Sequence, residues 1–321
     1  MTDTISNLDE EASVDGNLLQ KYHALIQRLS KQSIDKHFGA YEDIDWESDD
    51  MQITLENGDW ILENGYLDPI GDTRWYKDLD DSTKDRLGLY SVAIRMKYGL
   101  QFESILKRGL LEYAAKLPNN SPEFRYAYHE VIEEAQHSLM FQEFVNRTGL
   151  EIKGLSKLDL FGTSLIIKLG GYFPSLFFFF VLGGEDPIDY LQRKALKSDN
   201  QIHPLLKTIM KIHVTEEARH LSFARHYLKL NVPRLNFIST TVVSIAVPII
   251  LGSMAKMMLQ APRQVIEEFN IPKEVIRKAY RENKNHNEET KVALTKVRKL
   301  YEELNLMTPV SKQIWKFFNI L

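Results

Sequence analysis

The chain has 321 residues, 40 Lys and Arg against 44 Asp and Glu, a formal net charge of −4 and no cysteine. Lack of cysteine excludes disulfides, thiolate ligands and Cys nucleophiles, and leaves O and N donors of the kind that suit iron or manganese. The mild acidity, with no basic stripe carrying interleaved aromatics, gives no nucleic-acid partner.

In chain order, the first segment is polar and acidic and lacks the charged-then-apolar run of a signal peptide, so the expectation is a cytoplasmic protein. Residues 1 to about 17 read as disordered and 18–38 as an amphipathic helix. Asp43 to Asp81 is acidic, rich in Trp, Gly and Asp, and irregular. These stretches make residues 1–82 an acidic extension packing on the helices beyond it. Asp81 and Ser82 read as the N-cap of a helix continuing to Leu117, with Gly99 and Gly109 as weak points. Leu117 to Glu123 supplies a turn, an N-cap at Ser121 and a proline at the first helical position.

The next helix carries Glu133-Glu134-Ala135-Gln136-His137, and a near copy, Glu216-Glu217-Ala218-Arg219-His220, stands 83 residues later. Each Glu-x-x-His puts a carboxylate and an imidazole on one helix face, one turn apart. Two such helices, joined by two more that each carry a lone Glu, form the inward ligand set of carboxylate-bridged di-iron and di-manganese bundles. Glu103 lies 31 residues before Glu134, and Glu185 lies 32 before Glu217. An antiparallel hairpin therefore brings each pair to one depth. Glu112 competes with Glu103 but sits roughly 13 Å too near the turn at 1.5 Å per residue. In the second half the turn is Ser198 to Pro204, followed by one helix from Leu205 to Leu230. Asp186 and Asp189 compete with Glu185, and Pro187 marks a helix that is kinked there or begins near Glu185.

The halves differ at one place. His213 stands four residues before Glu217, so His213, Glu217 and His220 share a face; the equivalent position in the first half is Glu130. Glu130 reads either as a carboxylate just behind the ligands or as helix surface. Glu133 and Glu216 are candidates to orient a ligand imidazole through its other ring nitrogen, with Arg219 pairing one of them. His129, His203 and His226 fall off the ligand stripe.

The set Glu103, Glu134, His137, Glu185, His213, Glu217 and His220 resembles the three-His di-iron N-oxygenases typified by p-aminobenzoate N-oxygenase and the arylamine oxygenase of chloramphenicol biosynthesis. Their extra His likewise lies four residues before the last Glu. The resemblance covers residues 103 to 220. It implies an all-α, ferritin-like four-helix bundle with additional N- and C-terminal helices, two Fe ions, O2 as co-substrate, a small-molecule amine as substrate and a homodimer. A carbon-oxidising di-iron enzyme would share these ligands. Ferritin-type chains are about half this length and lack the third His. A radical-generating ribonucleotide reductase subunit would place Tyr where Phe141 stands. With no Gly-x-Gly-x-x-Gly or Walker loop in the chain, electrons are expected from a separate reductase or a small-molecule reductant.

Two segments approach membrane-span composition, Leu158 to Gly184 and Phe237 to Ala255, but central helices of a bundle are apolar all round and no stable span is expected. Residues 83–262 thus form the di-iron core, with the substrate pocket expected between the 160–185 and 237–258 helices. Arg95 and Arg125 are candidates to hold a substrate carboxylate. Residues 263–321 add helices to the same domain, from Pro272 to Arg281 and Glu288 to Leu304, and end in an amphipathic tail of Trp315, Phe317, Phe318, Ile320 and Leu321.

Overall fold

A computed structural model describes residues 2–55, 58–62, 68–198 and 202–321. Among them every regular element is helical. Helix α1 (Thr2–Asp35) is followed by irregular chain with short turns, including α2 (Arg74–Lys77). The central helices are α3 (Asp81–Ala114), α4 (Pro122–Arg147), α5 (Lys157–Tyr172), α6 (Pro174–Lys197), α7 (Pro204–Asn231) and α8 (Phe237–Leu259). The C-terminal part adds α9 (Arg263–Glu268), α10 (Lys273–Ile276), α11 (Lys284–Ala293), α12 (Thr295–Glu303) and α13 (Pro309–Phe317).

Two hairpins, α3 with α4 and α6 with α7, make the most extensive contacts and build the bundle. Helix α1 lies across α4 and α7, α5 lies on α3 and α6, α8 covers α6, and α13 packs on α8. The core between them is aromatic and branched: Phe177, Phe178, Phe179, Phe223, Leu106 and Val181 are fully buried. Taking such apolar surface out of water stabilises by about 25 cal/mol per Å², and the position of this core leaves a polar layer one helical turn further along.

Several boundaries differ from those read in the sequence. Helix α1 begins at Thr2, so the stretch to residue 17 read as disordered continues the same helix. The cap of α3 is Asp80, one residue earlier than expected, because its carboxylate accepts from Thr83 N at 2.9 Å and also from the Thr83 hydroxyl. Ser121 occupies the cap position of α4, yet its hydroxyl donates to Glu123 Oε2 and makes no cap bond. Pro122 takes the first helical position as expected.

The expected single kinked helix over 160–185 is two helices broken at Phe173, whose ψ of 67 is non-helical. The residue before a proline is pushed out of the α region, and Pro174 then starts a new helix where its missing N–H costs nothing. Pro187 sits inside α6, so the helix does not begin near Glu185. Of the second turn, Asp199, Asn200 and Gln201 lie outside the described residues. The Pro272–Arg281 helix becomes α10 continuing as a π-helix, Arg277–Arg281, and Glu288–Leu304 is divided at Leu294 between α11 and α12. Trp315 and Ile320 of the tail are buried and Phe318 packs against Gly252 of α8, while Phe317 stays exposed.

Candidate metal centre

The four bundle helices bring Glu103 (α3), Glu134 and His137 (α4), Glu185 (α6) and His213, Glu217 and His220 (α7) to one level, all at most 2% exposed. Glu112 is exposed and away from this layer. Asp186 is ion-paired with Arg225, and Asp189 with Arg193 at 2.6 Å and Lys296 at 3.6 Å, so neither carboxylate faces the layer as Glu185 does.

Each imidazole turns one nitrogen toward the carboxylates. His137 Nδ1 is 3.3 Å from Glu134, 3.5 Å from Glu217 and 4.0 Å from Glu103. His220 Nδ1 is 3.0 Å from Glu134 and 3.1 Å from Glu217. His213 presents its Nε2, 3.6 Å from Glu103 and 3.8 Å from Glu217. Four groupings of three donors have all their atoms within 4.8 Å of one another: Glu103–His137–His213, Glu130–Glu134–His220, Glu134–His137–Glu217 and Glu185–His213–Glu217.

The opposite nitrogen of each ring is anchored. Glu216 Oε2 meets His137 Nε2 at 2.8 Å, and Glu133 Oε2 meets His220 Nε2 at 2.7 Å. Each carboxylate thus holds the imidazole of the facing helix, which locks α4 to α7. Arg219 spans both, at 2.8 Å from Glu133 and 3.5 Å from Glu216. Glu216 also accepts from Phe38 N at 3.2 Å, and Gln136 from Ala40 N at 2.9 Å, so the chain just after α1 is tied to this outer ring.

Two contributors escape a reading of the sequence. Gln192 Oε1 lies 2.9 Å from His213 Nδ1 and anchors the third ring. Lys107, one turn after Glu103, donates to Glu134 O at 3.2 Å and to Ser138 Oγ. Gln192 stands seven residues after Glu185 on the same face of α6, but only its contact with α7 marks it out. Glu130 is 1% exposed, which removes the surface alternative for it. His226 is exposed and His203 is the buried N-cap of α7. Arg95 is held by Asp68 at 2.5 Å, and Arg125 is exposed. Helix α8 packs on α6, with Leu251 and Met254 over Gly183.

The electrostatics ask for cations. Seven Glu side chains around this layer are buried, and Arg219 is the one buried Lys or Arg among the described residues. Ionised groups removed from water cost several kcal/mol each unless compensated. Burial and the neighbouring carboxylates accordingly push Glu103 and Glu185 well above the usual range, and burial pushes Glu130 up to about 8. Burial works against protonating His137, but bonds to Glu134 and Glu216 outweigh it and raise the ring to about 10. Burial also opposes ionising Glu133, yet His220 and Arg219 hold it at about 2. His213 is pulled down, first by burial and then by the charge of His137. Glu103 Oε2 and Glu217 Oε2 are buried without a hydrogen-bond partner. Orphan carboxylate oxygens facing imidazole nitrogens anchored from behind are a donor set that fits two divalent ions.

An all-α ferritin-like bundle with this layer at its centre defines a class of metal-binding helical protein. The chain belongs to the p-aminobenzoate N-oxygenase AurF family, whose model matches residues 19–305. That membership implies a di-iron centre. An uncharacterized protein of Mycobacterium bovis is 36% identical over 300 residues, covering 94% of this chain and 88% of its own. Uncharacterized proteins from two Mycobacterium tuberculosis strains are similar to the same extent. No solved structure matches the chain significantly.

Proposed function

We propose that the protein is a non-haem di-iron oxygenase that activates O2 and oxidises an amine nitrogen toward the hydroxylamine, nitroso or nitro level. The observation that supports it most directly is the third imidazole, His213, within 4.8 Å of the donor atoms of Glu103 and His137. That is the feature distinguishing the three-His N-oxygenases from other carboxylate-bridged bundles.

Glu103, Glu134, His137, Glu185, His213, Glu217 and His220 would hold the two irons. When bound, the iron pair supplies reduction of O2 and delivery of an oxygen atom. The protein's own part is orientation, charge and exclusion of water. Glu216 and Glu133 accept from the far ring nitrogens of His137 and His220, which fixes their tautomers and makes the near nitrogens better donors. Arg219 neutralises part of that outer charge and keeps both carboxylates from swinging inward. Phe141, whose ring centroid is 5.6 Å from that of His213 and 6.3 Å from that of His137, sets apolar surface against the layer. A dry wall strengthens each polar contact inside it and limits loss of reactive oxygen to water.

Electrons come from a separate reductase or a small-molecule donor, the working unit is a homodimer and the setting is the cytoplasm. The test is turnover of the iron-loaded, reduced protein under ¹⁸O2 with a panel of aryl, alkyl and amino-acid-derived amines, read by mass spectrometry. Label on nitrogen of one amine class supports the reading. Label on carbon, or oxidation without label, contradicts it.

A further inference from the structure

Glu130 lies one turn before Glu134 on α4, as His213 lies one turn before Glu217 on α7. The two halves therefore read Glu130-x3-Glu134-x2-His137 and His213-x3-Glu217-x2-His220. His213 groups with Glu103 and His137 and also with Glu185 and Glu217, while Glu130 groups with Glu134 and His220 and shares no residue with either His213 grouping. Each holds a member of the four-residues-earlier pair. Glu130 is 1% exposed, and its Oε2 is buried with no hydrogen-bond partner. The buried Arg219 turns its Nη2 to Glu133 and Glu216. A carboxyl so placed is costly unless its oxygen meets a cation or keeps its proton.

We propose that Glu130 is a direct carboxylate donor to the ion nearest Glu134 and His220, the counterpart on α4 of His213 on α7. The inference rests on the two-metal reading of the centre. It gives the centre eight protein donors rather than seven. The two halves would then differ in charge, with a carboxylate on α4 where α7 carries a neutral imidazole.

The experiment compares wild type, Glu130→Gln and Glu130→Asp as full-length protein. It reads thermal unfolding with and without two equivalents of Co2+ under anaerobic conditions, the Co2+ absorption spectrum, and stepwise affinities by competition with a chelator. Replacing a buried carboxyl by a neutral amide is expected to leave the metal-free melting temperature unchanged or raised. The rise on adding Co2+ is expected to be smaller, because an ion that binds the native state less tightly stabilises it less. One of the two ions should bind about 10-fold or more weakly, at least the loss seen when only a supporting partner of a ligand is removed. Its part of the Co2+ spectrum should change while the other part stays. Glu130→Asp, which keeps the charge on a shorter arm, should fall between the two and serves if the Gln variant does not fold. A Glu130→Gln protein that binds both ions with wild-type affinity and spectrum overturns this inference alone. A wild-type protein that takes up no pair of ions overturns the two-metal reading, and this one with it.

Discussion

An imidazole has two nitrogens, and the one turned away from a metal decides how firmly the other is aimed. Two of the three rings here lean on carboxylates, and His213 leans on the neutral amide of Gln192 at 2.9 Å. Gln192→Leu is therefore expected to weaken the ion on the His213 side by about 10- to 100-fold, as loss of such a partner does at other metal sites. Gln192→Glu should retain binding. Anaerobic ferrous titration checks both, and equal affinity in all three proteins would contradict the role. The seven central positions were legible because Glu-x-x-His and hairpin register are spacing signals carried by residue types that are rare inside a core. Gln192 was not, since an amide carries no such signal; it emerges only when α6 and α7 are set antiparallel, with 185 facing 217 and 192 facing 213. Nor could spacing show that Glu133 and Glu216 serve the opposite helix, because that depends on how α4 and α7 face each other.

Where helices cross closely, small residues set the distance. A Cβ on Gly170 of α5 would stand 2.0 Å from the carbonyl oxygen of Gly109 on α3, a backbone atom that cannot turn aside. Gly170→Ala should cost about 1–3 kcal/mol, as overpacking usually does, measured by urea unfolding; no change would mean that α5 can shift outward freely. Gly109 was visible in the sequence only as a weak point of a helix, whereas its use is close approach. Asp68 shows the same limit. It joins the irregular N-terminal chain to α3 through Arg95 at 2.5 Å and to the π-helix through the hydroxyl of Tyr280 at 2.5 Å. Asp68→Ala leaves Arg95 and Tyr280 without their acceptor and should destabilise by about 3 kcal/mol, again by denaturant titration. Arg95 could be read as a candidate for a substrate carboxylate or as an ion pair, and its partner was not legible because it lies 27 residues away in a segment without periodicity.

The same junction carries a pH dependence. His286 packs edge-on to Tyr280, ring centroids 5.2 Å apart, and burial lowers its pKa below 6.5. As pH falls through 6.5 the unfolded chain takes up this proton before the folded one does, so its contribution, full above 6.5, is lost toward the folded value. His286→Leu should show a flatter melting temperature between pH 7.5 and 5.5 than wild type; parallel profiles would exclude His286 as a source.

At the scale of the whole molecule, α8 is the one helix among the described residues that begins a segment long and apolar enough to cross a membrane, and half of that window is buried. Val243, Val247, Leu251 and Met254 face inward. Phe237 is 85% exposed and Ile238 74%, and Val242, Ile245 and Ile249 continue the outer stripe. So continuous an apolar face is rarely left in water, and this is the surface the proposed homodimer would bury. Val242→Lys combined with Ile245→Lys should convert a dimer to a monomer in size-exclusion chromatography with light scattering, leaving iron content per chain unchanged. A wild-type protein already monomeric would rule the dimer out. Helical class and bundle order were readable along the chain, while what the outer face of α8 meets was not, because an apolar helix has the same composition whether it meets its own core or a second copy.

The central claim is that one chain holds a coupled pair of irons. The most direct measurement is ⁵⁷Fe Mössbauer spectroscopy of protein loaded anaerobically and then oxidised, with iron counted per chain. Two irons per chain and a diamagnetic ground state from two coupled ferric ions are predicted, with the iron content reduced to half or less in His137→Ala. Iron that stays near one per chain, or a magnetic spectrum of isolated ferric ions, would contradict the claim.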